Sequence, residues 1–474
     1  MATPSRETYD AVIIGAGIGG LVCGCYLARA GLKVLIVEQH NKPGGYCTSF
    51  KRRGVTFDAA AHCFGSLRKD GIMDWVFEDL GLNSILKVKR YNPSDSIISP
   101  DGHQIDFFNN QEDTINSIKK YFPEDEGAVR TLFTHLMENH PSFFSSLRNL
   151  TFKDLLDRYL KNEKLKKILS FPFIGLGGLP ASRMSAFVAT KLFSEFLLDG
   201  GYYPEGGMQS LSNALAERLI YYKGNIMFSS RVRRIRTYKN RVTGVVLDNN
   251  RYIPSKYVIS NCNAYHTFLR FIDKNKIDID FRDKIKNMEP SLSNFVLYIG
   301  LKSYDKKDIS PPGTCMWLMK NYNYERAYNE ILSGDIYAFG GCTVRVLPSR
   351  QGITATMPAL FRTKNFWKKH KERVKEFFLE NILQVFPALR KHISFVDAAT
   401  PQTLYRYTLN HRGASFGWAG TVEQFGIYKL RKPSFLKNLF LVGHWTTLGS
   451  GVSGVAYTGY DTANLILKKE PLTV

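Results

Sequence analysis

Cysteine is sparse in this chain and falls into no pattern. Seven residues (Cys23, Cys25, Cys47, Cys63, Cys262, Cys315 and Cys342) are scattered over 474 positions, odd in number, with no CxxC pair and no His/Cys ligand spacing. That excludes a disulfide framework and a zinc centre, so no metal is expected, and it suits reduced thiols in a cytoplasmic compartment. Low-complexity tracts and internal repeats are also missing, and the sequence reads as globular throughout. The N-terminus does not suit a signal peptide or a membrane span: Glu7 and Asp10 interrupt it, and five glycines fall between Gly15 and Gly24. Acidic residues are the minority, 42 against 64 basic ones, for a net charge of +22. Such a charge attracts anionic surfaces. Without a recognisable nucleic-acid module the expectation is peripheral attachment to an anionic membrane and no nucleic acid. The plainer reading of the same charge is a solvated, lysine-rich surface.

With 44% apolar and 22% charged residues, a chain of this length can bury a large core and is expected to form more than one domain. Residues 9–14 read as a strand ending in Gly15-Ala16-Gly17-Ile18-Gly19-Gly20. Residues 21–29 then read as a helix, and residues 33–37 as a second buried strand closed by Glu38. From about 64 to 200 the chain turns to helices rich in Phe, Leu and Tyr, interrupted by Pro141, a loop at 172–180 and Gly200-Gly201. A helix opens at Gly206-Gly207 with Met208, Leu211, Leu215, Leu219 and Tyr222 on one face. Short strands at 226–229, 232–238, 242–247 and 257–260 follow, and a second insertion runs from 263 to about 433, with a strand at 294–301 and an amphipathic helix at 366–386. The end is a strand at 439–442, a glycine loop at 449–454 and a helix through Leu467.

Gly15, Gly17 and Gly20 form GxGxxG in the context that gives it meaning, directly after a strand and opening a helix. The first two glycines let backbone turn and approach a pyrophosphate, the third lets helix and strand pack closely, and the helix N-terminus offers N–H donors. Glu38 follows Gly20 by eighteen residues at the end of the next strand, where a carboxylate accepts ribose hydroxyls and repels a 2′-phosphate. These residues predict a dinucleotide site without separating NAD from FAD.

The separation comes from later segments. Pro43-Gly44-Gly45, the GVTFDAAAH stretch at 54–62, the strands after Gly207, residues 400–424, and Gly443 with Gly449-Ser450-Gly451-Val452 together resemble the phytoene desaturase, carotenoid isomerase and retinol saturase group of flavoproteins, within the amine oxidase-like superfamily. Ala60 departs from the group's FDxG pattern, and Glu205 stands before Gly206-Gly207 where a basic or neutral residue is expected. The resemblance implies an α/β fold: a glutathione-reductase-like FAD-binding Rossmann domain from residues 1–65, 200–262 and 434–474, with an inserted α+β substrate domain from 66–199 and 263–433. It places the pyrophosphate at Gly15, Gly17 and Gly20, the adenosine ribose at Glu38, the adenine at the backbone of Val232, and the flavin side at Gly44, Gly45, Gly443, Gly451 and Val452. The implied substrate is a long apolar polyene or isoprenoid lipid, acted on at carbon-carbon bonds by desaturation, isomerisation or saturation, with a quinone or oxygen as electron acceptor. Amine oxidation is the alternative chemistry, and a lipid-binding flavoprotein without turnover the non-catalytic one. His62 and His444 follow flavin-side segments and are candidate proton carriers, although a hydrogen-bonded structural histidine has the same sequence signature. Cys63 and Trp445 read as packing beside the cofactor. Seven phenylalanines (Phe143, Phe144, Phe171, Phe173, Phe187, Phe193 and Phe196) are candidates for an apolar tunnel or for core.

Overall fold

The computed structural model describes residues 8–138, 140–305, 309, 311–424, 430, 433, 435–446 and 450–470. Tyr9–Ile14 and Val34–Val37 are short Val/Ile-rich strands buried almost throughout, as strands covered on both faces must be. They pair in parallel, and Tyr9–Ile14 also pairs in parallel with Tyr252–Ser260 on its other side. Asn225–Met227 extends the sheet beyond Val34–Val37, and Leu439–Leu441 joins the C-terminal half of Tyr252–Ser260, both in parallel. Val232–Tyr238, Arg241–Leu247 and the start of Tyr252–Ser260 form an antiparallel meander that completes this seven-stranded sheet.

The helix Ile18–Arg29 begins three residues earlier than the sequence pattern predicts, with Gly17 as an N-cap that supplies no side-chain hydrogen bond. Every residue from Ile18 to Ala28 is buried, which is the signature of a helix enclosed on all sides. It lies against the helices Met208–Tyr221 and Val452–Leu467. Gly459 makes the second contact possible, since a Cβ there would lie 2.4 Å from the Gly19 carbonyl oxygen.

A second seven-stranded sheet holds Asp95–Ile98, Gln104–Phe107, Ser293–Leu301, Cys315–Met319, Gly341–Val346, Gly352–Ala359 and Ile393–Ala399. One face packs Phe295, Leu297, Val344, Ala355 and Met357 against Trp367, Val374 and Phe378 of the helix Lys364–Val385. Val374 and Phe378, on the apolar face of that amphipathic helix, are fully buried. Three features of residues 64–200 differ from the sequence reading. Asp95–Ile98 and Gln104–Phe107 pair with each other as a hairpin at the edge of the second sheet, and the strand that joins Asp95–Ile98 to that sheet, Cys315–Met319, is too distant in sequence for a local pattern to reveal. The helix Ile72–Leu80 packs into the same core as Ile18–Arg29. Residues 172–180, expected as a loop, include the helix Pro172–Gly177, with proline in its first turn and Gly178 in the left-handed conformation (φ 74°) as its stop. No helix among the described residues is long and apolar enough to cross a membrane. All seven cysteines are free, and the described residues contain no cluster suited to a metal.

Candidate active site

The turn after Tyr9–Ile14 is built on Gly15, whose φ of 96° is a conformation that side chains disfavour. Gly17 is different: its φ of −72° and ψ of 168° are ordinary extended backbone, so glycine is used there for close approach and not for strain. A Cβ on Gly20 would meet the Gly15 carbonyl oxygen at 2.3 Å, so the third glycine closes the turn against its own helix. Asn261, one residue beyond Tyr252–Ser260, is the hub of this arrangement. Its Nδ2 donates to Gly15 O at 3.3 Å, its backbone N donates to Ile14 O at 2.9 Å, and its amide group lies against Gly17, Gly19, Gly20 and Gly443. The sequence pattern does not single it out. The signal that finds it is topological, for it stands at the carboxyl end of a parallel strand beside the first one.

Glu38 follows the next strand, and its carboxylate accepts from Ala16 N and His40 N, each at 2.7 Å. Burial pushes its pKa up, against those two hydrogen bonds. Ser230 N donates to Glu38 O at 2.8 Å and Ser229 N to His40 O at 3.0 Å, which brings the start of Val232–Tyr238 beside the carboxylate. The 43–47 turn is tied in by Gly44 N donating to Ala16 O at 2.8 Å. On the C-terminal side, Gly443 N donates to Thr458 Oγ1 at 2.8 Å, and the helix Val452–Leu467 starts at Gly451 with no side-chain cap. Gly449 lies outside the described residues.

Gly15, Gly17, Glu38, Gly44, Gly45, Val232, Gly443, Gly451 and Val452 line one cavity, together with His62, Cys63 and His444; Gly20 packs behind them. The opposite wall comes from the second sheet and its neighbours, including Phe171, Ile174, Leu176, Phe196, Val296, Trp317, Tyr324, Ile331, Phe339 and Met357. Glu38 is the one carboxylate in that lining among the described residues. Of the seven candidate tunnel phenylalanines, Phe171 and Phe196 line the cavity. Phe173 and Phe193 are fully buried core, and Phe143, Phe144 and Phe187 pack against it, because helical spacing turned them inward.

His62 Nδ1 lies 3.4 Å from Ala60 O, and His444 Nε2 lies 3.4 Å from Asn410 Oδ1. An oxygen acceptor favours the N–H at each of those positions, leaving the other ring nitrogen with a free lone pair. Burial pushes both rings down to about 4, with the Arg345 charge adding to the effect at His62. They are therefore neutral near pH 7. Trp445 is packing: fully buried, its indole N–H donates to Asn410 Oδ1 at 2.8 Å and its ring meets Trp418 edge-on. Asp58, in the stretch that resembles FDxG, holds the scaffold. It accepts from Ser49 Oγ (2.7 Å), Tyr203 OH (2.7 Å) and Met208 N (3.0 Å), and so caps the helix Met208–Tyr221.

These residues fit FAD. Two helix N-termini, Ile18 and Val452, lack side-chain caps, a glycine turn leaves room for close backbone approach, and the Glu38 carboxylate lies in the same cavity at the end of the next strand. When bound, the isoalloxazine supplies hydride and electron transfer, and the chain's own part is to hold, orient and shield it.

Comparison with known proteins agrees. Residues 18–467 match the family described as flavin containing amine oxidoreductase. The all-trans-retinol 13,14-reductase of Danio rerio is 24% identical over 98% of this chain and 87% of its own length. The 4,4'-diaponeurosporene oxygenase of Staphylococcus aureus is 25% identical over 98% and 99%, and the lycopene-forming phytoene desaturase of Pseudescherichia vulneris 22% over 96% and 99%. Among solved structures, an oxidoreductase from Methanosarcina mazei superposes with a TM-score of 0.70 at 15% identity, covering 97% of this chain and all of that one. Putrescine oxidase bound to putrescine gives 0.64 at 16%, covering 98% and 100%, a likeness of fold. The chain belongs to the flavin-containing amine oxidoreductase family and is an FAD-dependent oxidoreductase.

Proposed function

We propose that the enzyme acts on a carbon-carbon bond of a long apolar polyene and not on the C–N bond of an amine. One observation carries this reading: the wall facing the glycine turns is largely aliphatic and aromatic and carries no charge, and Glu38, the cavity's one carboxylate among the described residues, is held by two backbone N–H groups beside the glycine turn. A cationic amine finds no counter-charge there, whereas a polyene needs burial and shape. The names of the three relatives, all retinoid or carotenoid enzymes, support the same substrate class.

In this reading Gly15, Gly17 and Gly20 hold the pyrophosphate, Glu38 the ribose and Val232 the adenine. Gly44, Gly45, Gly443, Gly451 and Val452 line the flavin side, and the amides at the start of Val452–Leu467 favour negative charge on it. His62 and His444, neutral and each with a free lone pair, carry protons. The FAD-binding domain comprises residues 1–65, 200–262 and 434–474 and the substrate domain the two insertions, with Ile72–Leu80 packed on the cofactor side. The +22 charge holds the protein on an anionic bilayer in the cytoplasm, from which the substrate enters, and a quinone or oxygen takes the electrons. Liposome flotation tests the membrane part: binding to anionic vesicles at low salt that weakens with ionic strength supports it, and no binding refutes it.

The reaction is read from polyene-bearing liposomes incubated with the enzyme, once with oxidised FAD and a quinone and once anaerobically with reduced FAD. Desaturation is the outcome expected, with additional double bonds in the first arm. A geometric isomer at constant mass, or hydrogen gain, in the second identifies an isomerase or a saturase. Polyenes untouched in both arms refute the proposal.

A further inference from the structure

The cavity wall formed by the second sheet has a polar row just behind it. Val296, Thr356, Thr343 and Trp317 sit opposite one another on four adjacent strands, and all four line the cavity. Two residues further along the same face runs the next row: Tyr298, Thr354, Arg345, Cys315 and Asp95, again directly paired. Tyr298 OH donates to Ala59 O at 2.7 Å, and Asp95 accepts the Trp317 indole N–H at 2.8 Å. Arg345 is 3% exposed, and its Nε donates to Gly313 O at 2.8 Å. Its guanidinium stands over the rings of Tyr203 and Tyr91, at 4.8 and 5.8 Å from their centroids. It forms no carboxylate ion pair among the described residues, and its Nη2 has no hydrogen-bond partner there. The Thr354 hydroxyl opposite it is likewise buried without a partner. His62 and Cys63, which line the cavity, feel the Arg345 charge.

Asp95, in the same row, feels the Arg345 charge without pairing directly with it, so a buried guanidinium with an unpartnered Nη2 beside a buried free hydroxyl leaves donors that await an acceptor. We propose that Arg345 and Thr354 form the recognition end of the cavity, donating hydrogen bonds to an oxygen at the terminus of an otherwise apolar polyene, either a hydroxyl or a carboxylate. This rests on the polyene reading and refines it: the substrate is an oxygen-bearing polyene and not a pure hydrocarbon. Discrimination of this kind is strong because a ligand lacking the oxygen leaves both donors unpaired. Arg345 is a specificity residue here and takes no part in the redox step.

The test is a binding titration of FAD-loaded wild type, Arg345→Met and Thr354→Val with three probes: all-trans-retinoic acid, all-trans-retinol and the matching hydrocarbon without the oxygen. Wild type is expected to bind the oxygenated probes at least about tenfold more tightly than the hydrocarbon. Arg345→Met abolishes that preference while hydrocarbon affinity changes by less than about twofold, and Thr354→Val lowers it by about threefold. A loss confined to retinoic acid identifies the carboxylate, and an equal loss for both oxygenated probes identifies the hydroxyl as sufficient. The inference is overturned if wild type shows no preference, if Arg345→Met weakens all three probes equally, or if it expels FAD instead. Thr354→Val decides the matter should Arg345→Met not fold. Binding of the hydrocarbon alone refutes the recognition end and leaves the polyene reading standing; binding of no probe refutes both.

Discussion

Gly17→Val separates cofactor binding from folding. The native backbone at Gly17, φ −72° and ψ 168°, is one that valine adopts readily, so the substitution adds no backbone strain. The new Cβ meets one atom closely, Asn261 Nδ2 at 2.8 Å, at the far end of a side chain able to move. The cost to the apoprotein is the 3.3 Å bond from Asn261 Nδ2 to Gly15 O, about 1 kcal/mol, or a melting shift of roughly 1 °C for a chain of this size. The same isopropyl group stands where backbone must approach the pyrophosphate, and FAD affinity is expected to fall more than about a hundredfold. Gly20→Ala is the contrasting control. Its Cβ falls 2.3 Å from the backbone oxygen of Gly15, so the turn itself must move, and apoprotein stability drops by about 1–3 kcal/mol along with the flavin. Thermal melts of the apoproteins and fluorescence titration with FAD read both effects. A folded Gly17→Val protein with full flavin occupancy, or one that loses the flavin only because it has unfolded, would refute the reasoning.

Asn261→Asp should weaken FAD binding more than Asn261→Ala, by about tenfold or more in the same titration, because a carboxylate sets negative charge against both the Gly15 carbonyl and the diphosphate. Asp58→Ala leaves Ser49 Oγ, Tyr203 OH and Met208 N without their acceptor and is expected to cost about 3 kcal/mol in urea unfolding. Its effect falls on stability first and on turnover only through it. Burial holds His62, His266, His411 and His444 down to about 4 from an ordinary 6.5, so between those values the unfolded chain binds more protons than the folded one. Stability therefore rises with pH from about 4 to 6.5, opposed in part by Asp95, which burial pushes up to about 6 and which takes its proton more readily when folded. A pH series of melts checks the sign, and His62→Gln with His444→Gln should flatten the slope.

How much of this was legible in the sequence follows from how local each signal is. The strand, glycine turn, helix and strand of residues 9–37 lie in one continuous stretch and were read directly, apart from the three helical residues after Gly17. Of those three, Ile18 and Gly19 line the cavity, and turn-forming glycines conceal a helix start. The meander and the helix at Met208 were equally local. Asn261 was invisible because its role depends on two strands lying side by side although they are far apart in sequence. Asp58 was visible as part of a resemblance, yet its work as a cap on a helix that starts at Met208 required the fold. The polar row at Arg345 was hidden for the same reason, since its members come from five strands of the second sheet. The aromatic residues of the first insertion were ambiguous in principle: burial in core and exposure to a cavity select the same side chains, and only packing divides Phe171 and Phe196 from Phe173 and Phe193.

The central claim is that this cavity presents an apolar wall to the flavin and no anion for an amine. It is tested most directly by mixing the oxidised holoenzyme anaerobically with a polyene in liposomes and, separately, with putrescine, while following the visible flavin absorbance. The account predicts bleaching by the polyene, with product two hydrogens lighter, and none by the amine. Bleaching by putrescine with the polyene inert would contradict it.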